Sequence, residues 1–420
     1  MSLHIRGGRV VEPGTRGVSV RDLFVDETRD GLRVSFEPIG EHARAVIEAA
    51  GKLVLPGLVD LRAHLREPGE EYKEDIESGV RAALAGGVTT VVAQPDTKPC
   101  IDNGEIVNFV RRRGEATAGR VLVAGAVTKG LKGEELAPIG EMRRAGAVML
   151  SDGDNWVRDA GLMRRALEYA RDFNLTVSTH AEEATLARGG HMHEGAMSVR
   201  LGLRGIPSVA EETALARDLA LATYTGGRLH VAHVTSARAV EMIRDAKGRE
   251  TDVTCDVSVH HLVFTDKDLS NFDSNLRLVP PLRTELDRQA LIRGLADGTI
   301  DAIVSDHAPQ SVLEKDLPFH EALPGAIGLQ SLLPLAMATE LPLETIVARL
   351  TTGPAAVLHS QTLGLLAAGD IAIVDPAAEW QLARLTILSK CMNTPLTGRV
   401  LRGRVDVTVF GGRIVYQRDG

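Results

Sequence analysis

The chain has 420 residues, of which 44% are hydrophobic, 25% charged and only 3% aromatic, with a formal net charge of −8. That is enough chain for one large α/β core with an appended unit. The acidic balance and scarcity of rings argue against a nucleic-acid surface. The longest uncharged run, 322–339, carries Pro324, Gly325, Gly328 and Pro334 and is unsuited to crossing a membrane.

The amino terminus, MSLHIRGGRVV, lacks the apolar stretch of a signal peptide. From there to residue 55 the chain reads as short strands broken by turns, as in LHIRGGRVVEPG and LRVSFEPIG. The same texture returns over 359–420, in GDIAIVDP and GRVLRGRVDVTVFGGRIVYQ. Two β-rich ends with Gly-Gly and Gly-Arg turns predict a small composite β-sandwich built from both termini.

Between them, 56–358 alternates differently. Short apolar runs (TTVVAQP, VLVAGAV, AVMLSD, LTVSTHAE, LHVAHVTS, DVTCDVSVHH, AIVSDHAP) each end in polar residues, and most are separated by helical patterns such as AGLMRRALEYARDF. Repeated β-then-α units with ionisable residues at the strand ends predict a (β/α)8 TIM barrel. A doubly wound sheet would want a Gly-rich phosphate loop after an early strand, and no G-x-G-x-x-G occurs there.

Barrel geometry would bring the strand-end residues His64, Arg66, Asp96, Asp152, Asp154, His180, His233, Asp306 and His307 to one face. Imidazoles and carboxylates together suit zinc or a similar ion, which makes hydroxide from water near neutral pH, with a neighbouring carboxylate to shuttle the proton. Arg62, two residues before His64 in VDLRAHLREPG, shares its side of the strand but can ligate nothing. For Arg66, spacing allows both a surface salt bridge to Glu67 or Glu70 and a clamp for a substrate carboxylate. His260 and His261 read as structural, and His191 and His193, in a Gly-bounded loop, as solvated. Cys100, Cys255 and Cys391 are far apart, with no disulfide or zinc-knuckle spacing, so a reducing cytoplasm is the expected setting.

The segments LPGLVDLRAHLREPGEEYKEDI, STHAEE, LGLRGIPSVAEE, HHLVFTD, PPLR, DAIVSDHAPQSVLEK, GAIGLQ and NTPLTGRVLRGRV come in an order that resembles the bacterial type I dihydroorotases of the amidohydrolase superfamily. The resemblance implies the barrel, the composite β domain, a zinc site, and reversible cyclisation of N-carbamoyl-L-aspartate to dihydroorotate. It implies metal ligation by His64, His180, His233 and Asp306, with Asp306 also the catalytic carboxylate, and substrate binding around Arg66, Asp96 and Gln310. The chain departs from the family pattern at several of these places. Arg62 stands where the family has the first His of a His-x-His pair, and Gly153 falls where it has a bridging Asp. Asp152 is taken as the substitute ligand, with Asp154 as the other candidate. Asp96 and Val279 each stand in place of an Asn, and Gln310 in place of a His.

Arg62 brings a fixed charge towards the metal position, and Asp96 is expected to pair with it. So many changes in one site predict at most one tightly bound zinc. They also predict a weakly active or non-catalytic subunit of pyrimidine synthesis, oligomeric and kept as a structural partner of aspartate transcarbamoylase. The alternative is a working enzyme with a reduced metal site.

Overall fold

The computed structural model describes residues 2–13, 17–28, 31–38 and 45–418. The first strands, β1 (Ser2–Val10), β2 (Ser19–Thr28), β3 (Gly31–Ser35), β4 (Ala45–Glu48) and β5 (Leu53–Pro56), belong to one terminal sheet. The barrel strands follow: β6 (Leu58–Ala63), β7 (Val88–Ala93), β8 (Arg120–Gly125), β9 (Ala147–Ser151) and β10 (Thr176–Thr179). A two-residue ladder of β11 (Met192–His193) and β12 (Gly205–Ile206) interrupts them, before β13 (Leu229–Val231), β14 (Val253–Ser258) and β15 (Ala302–Val304). The chain then returns to the terminal sheet with β16 (Ile371–Gln381), β17 (Val400–Phe410) and β18 (Arg413–Gln417).

The eight barrel strands pair in parallel in the order β6-β7-β8-β9-β10-β13-β14-β15. Every residue of β6 and β7 is buried, as expected for parallel strands covered on both faces. The ring closes between its first and last strands. Asp60 accepts hydrogen bonds from Ser305 N (2.9 Å) and Ser305 Oγ (2.5 Å), and His64 N donates to His307 O at 2.8 Å.

The outer helices form where a cap meets an apolar stripe. Asp75 and Ser78 make a reciprocal capping box at the start of Ile76–Ala85. Asp159 caps Ala160–Asp172, which buries Leu162, Met163, Ala166, Leu167 and Ala170, the three-and-four spacing of one helical face.

The terminal sheet joins the two chain ends where β16 runs antiparallel to β5, with Ala372 opposite Leu55. Its core gathers Leu3, Ile5, Leu23 and Val25 from the amino-terminal part with Ile371, Ile373, Val407 and Val409 from the carboxyl-terminal part. The expected Gly-Gly hairpin is present: Gly411 and Gly412, at φ 53° and 75°, connect β17 to β18. Gly57, at the junction with the barrel, admits no larger residue, because a Cβ there would lie 2.3 Å from Thr89 and 2.9 Å from Asp370.

Candidate active site

The strand ends place His64 after β6, Asp96 beyond β7, Asp152 and Asp154 after β9, His180 after β10, His233 after β13 and Asp306 after β15. All therefore sit at the carboxyl-terminal face, where barrel loops carry chemistry. Arg66, His233 and Asp306 hold φ of 61°, 39° and 51°. Such conformations cost non-glycine residues about 1–3 kcal/mol each and persist only where the surroundings over-determine them.

Arg62 lies inside the barrel mouth with its side chain only 2% exposed. Its Nε donates to Asp306 Oδ1 at 3.0 Å, Nη2 to Asp154 Oδ1, and Nη1 to Gln94 Oε1 at 3.4 Å. Burial alone would lower the guanidinium's pKa, but Asp154 and Asp306 outweigh it and hold the charge more firmly than usual. The same pairing acts in reverse on Asp306. Burial would raise its carboxyl, yet the neighbouring His233 and Arg62 keep it well below the usual range.

Asp96 does not pair with Arg62 by a hydrogen bond, as the sequence had suggested. It accepts from His64 Nδ1 at 2.7 Å and from Arg66 Nη1 at 2.9 Å. Burial pushes its carboxyl up, but His64 and Arg66 pull it further down, so it stays ionised. Arg66, expected either to clamp a substrate carboxylate or to make a surface salt bridge, holds a carboxylate of the chain itself. A surface salt bridge is not what it makes, since its side chain is 8% exposed and its contact to Glu70 is 4.0 Å.

Asp152, the expected substitute ligand, has both oxygens engaged by the loop after β8. Its Oδ1 accepts from Val127 N (2.8 Å) and Thr128 N (2.9 Å), and its Oδ2 from Thr128 Oγ1 (2.5 Å). It ties the loop after β8 to the loop after β9, and the reachable carboxylate is Asp154. Gly153, at φ 65°, makes the turn that separates the two. Asp154, His180 and His233 each offer one ligand atom, all within 4.8 Å of one another. His64, for its part, is engaged by Asp96 rather than by that cluster.

Two imidazoles and a carboxylate are the donor set a zinc-like ion takes. His180 Nδ1 and His233 Nε2 approach to 2.8 Å, so one ring donates to the other. This leaves His233 Nδ1 buried without a hydrogen-bond partner, 3.6 Å from Asp306 Oδ1. One ion therefore fits these residues. A second does not: the Arg62 guanidinium already sits between Asp154 and Asp306, and Gly153 offers no side chain. At ~4 Å and an effective dielectric of ~20, each unit-charge repulsion between Arg62 and an ion would cost about 4 kcal/mol.

Two cavities meet at Asp154. One, of about 280 Å³, runs past Trp156, His180 and Glu182. The other, of about 140 Å³, is lined by Arg66, Asp96, Val279, Asp306 and Gln310. Gln310 lines that space but its amide is already bonded, accepting from Lys73 Nζ (3.0 Å) and donating to Pro324 O (2.9 Å).

The remaining histidines sort as follows. His260 and His261 are buried, with burial lowering each to about 4. His193 belongs to β11 and meets Arg283 Nη1 at 3.1 Å, and His191 meets Arg277 Nη2 at 3.2 Å, so neither is simply solvated. His307 bonds Glu74 at 3.3 Å behind the site. Gln94 escaped the sequence reading. The signal for it was that a buried Arg carries five N–H donors and needs more than one acceptor.

Residues 51–239 match the family model described as dihydro-orotase-like. The chain is 47% identical to a dihydroorotase of Anaeromyxobacter dehalogenans (strain 2CP-C), over 99% of this chain and 98% of that protein. It is 44% identical to one of Pelobacter propionicus over the whole of both. Among solved structures it is similar to the L-hydantoinase of Arthrobacter aurescens, at a TM-score of 0.88 and 24% identity, over 100% of this chain and 96% of that one. The dihydropyrimidinase of Brevibacillus agri NCHU1002 gives 0.83 and 21%, over 99% and 95%. The structural likeness speaks for the fold, and the full-length identity to the relatives establishes that this chain belongs to the dihydroorotase family.

Proposed function

We propose that this chain acts in pyrimidine biosynthesis as a dihydroorotase-family protein with little or no turnover, and that it serves in the cytoplasm as a structural partner of aspartate transcarbamoylase. The observation that carries the first part is the Arg62 guanidinium bonded to both Asp154 and Asp306. A bound zinc ion would supply an activated water and a polarised carbonyl; Asp154, His180 and His233 are the residues that would hold one.

The chain's own groups are poorly set for the rest of the reaction. Asp306 Oδ1 already accepts from Arg62 Nε at 3.0 Å, so a proton shuttle there would have to break that bond. Arg66, the group for a substrate carboxylate, already holds Asp96. The partner role is supported by resemblance to dihydroorotase-like subunits that assemble with the preceding enzyme, and by a scaffold kept entire around an altered site.

The test is turnover of N-carbamoyl-L-aspartate and of dihydroorotate by the purified chain, with and without added zinc, alone and co-expressed with aspartate transcarbamoylase. We expect rates far below the ~1–10³ s⁻¹ of ordinary enzymes and one stable complex. An ordinary rate with added zinc would instead support the second reading, a one-ion dihydroorotase on Asp154, His180 and His233, which those three residues' convergence favours.

A further inference from the structure

Arg62 is among the largest fully buried side chains, and each of its three guanidinium nitrogens has an acceptor. The acceptors come from three separate loops or strand ends: Gln94 beyond β7, Asp154 beyond β9 and Asp306 beyond β15. One cation thus ties together parts of the barrel mouth that are otherwise remote in sequence. Without it, two carboxylates and two imidazoles would face one another, with His233 Nδ1 3.6 Å from Asp306 and His180 2.8 Å from His233. Such a cluster either draws in a cation or splays apart.

We propose that Arg62 is a built-in counter-cation: its guanidinium replaces a bound ion as the charge that holds Asp154 and Asp306, so the chain keeps this site folded without any divalent metal. The inference rests on the site assignment above. A guanidinium differs from a bound ion in two ways. It is not lost to a chelator, and it stays charged across the accessible pH range. Gln94 supports the substitution, because its Oε1 accepts from Nη1 while its Nε2 is anchored to Leu61 O at 3.0 Å. Arg62 is a positioning residue in this account, acting through the two carboxylates.

The experiment uses full-length wild type, Arg62→Ala, Arg62→Lys and the neutral, similarly long Arg62→Met. Apparent Tm is measured in EDTA and in excess zinc chloride, and bound zinc is determined by elemental analysis after desalting. Wild type should melt at the same temperature in both conditions. Arg62→Ala should melt ~3 °C or more lower in EDTA, recover at least half of that in zinc, and retain ~10-fold more zinc than wild type. Arg62→Lys should stay closer to wild type than Arg62→Met does, with no zinc response.

The proposal is overturned if Arg62→Ala loses stability equally with and without zinc, or if wild type gains as much from zinc as the variant. Should Arg62→Ala fail to fold, equal destabilisation of the Lys and Met variants would overturn it as well, since that result assigns Arg62 to packing alone. Ordinary turnover by wild type that appears only with added zinc would overturn both the proposed function and this inference, whereas the melting and zinc-content outcomes above overturn this inference alone.

Discussion

Asp96→Asn should open the Arg66 pocket to a carboxylate ligand. In the wild type such a ligand has to displace Asp96, whose two oxygens take His64 Nδ1 at 2.7 Å and Arg66 Nη1 at 2.9 Å. The side chain is 26% exposed, so the pair is desolvated enough for its charge to matter. A hydrogen bond to a charged group contributes about 1.5–3 kcal/mol, and losing that competition corresponds to about 10- to 100-fold in Kd. Asn keeps the shape and an acceptor but not the charge.

Calorimetric titration of N-carbamoyl-L-aspartate into both proteins, in EDTA, reads the difference without involving metal or chemistry. A variant that binds no more tightly than the wild type would refute the reasoning, since Asp96 would then not be what closes the pocket. The substitution also has a pH signature. The Asp96 carboxyl is depressed in the folded chain, so its contribution to stability is complete above the unfolded value near ~4 and is lost as the pH falls below it. Asp96→Asn should therefore be less stable at neutral pH and lose less on acidification.

Four further outcomes follow from the same geometry. Arg62→His with Gly153→Asp should raise bound zinc, read by elemental analysis, but restore substantial turnover only when Asp96→Asn, Val279→Asn and Gln310→His are added. Asp152→Ala should lower stability by about 2–4 kcal/mol in chemical denaturation, by leaving Val127 N and Thr128 N unpaired, while zinc content stays unchanged; loss of zinc would return Asp152 to the ligand set. Asp60, raised by burial to about 7, favours the fold in its protonated form. Its contribution should therefore decline as the pH rises from ~4 to ~7, and Asp60→Asn should flatten that part of the stability profile. In a strain lacking this chain, His180→Ala with His233→Ala should still restore aspartate transcarbamoylase activity and growth without uracil; rescue by the wild-type histidines alone would mean the site works.

Much of this protein was legible in its sequence because the signals are local and periodic. Apolar runs ending in polar residues gave the barrel strands, the pattern AGLMRRALEYARDF gave a barrel helix, and the Gly411-Gly412 turn marked a hairpin. The altered positions Arg62, Asp96, Gly153, Val279 and Gln310 needed only the order of motifs. What only the tertiary structure decided was which charge meets which. Asp152 and Asp154 are two residues apart and chemically identical, yet Gly153's positive φ sends one to Thr128 and the other to Arg62. Asp96 passes over Arg62 for Arg66. Arg62 finds Asp306 across 244 residues of chain. Pairings of that kind depend on how strand ends converge around a closed barrel, and no spacing along the chain encodes that convergence.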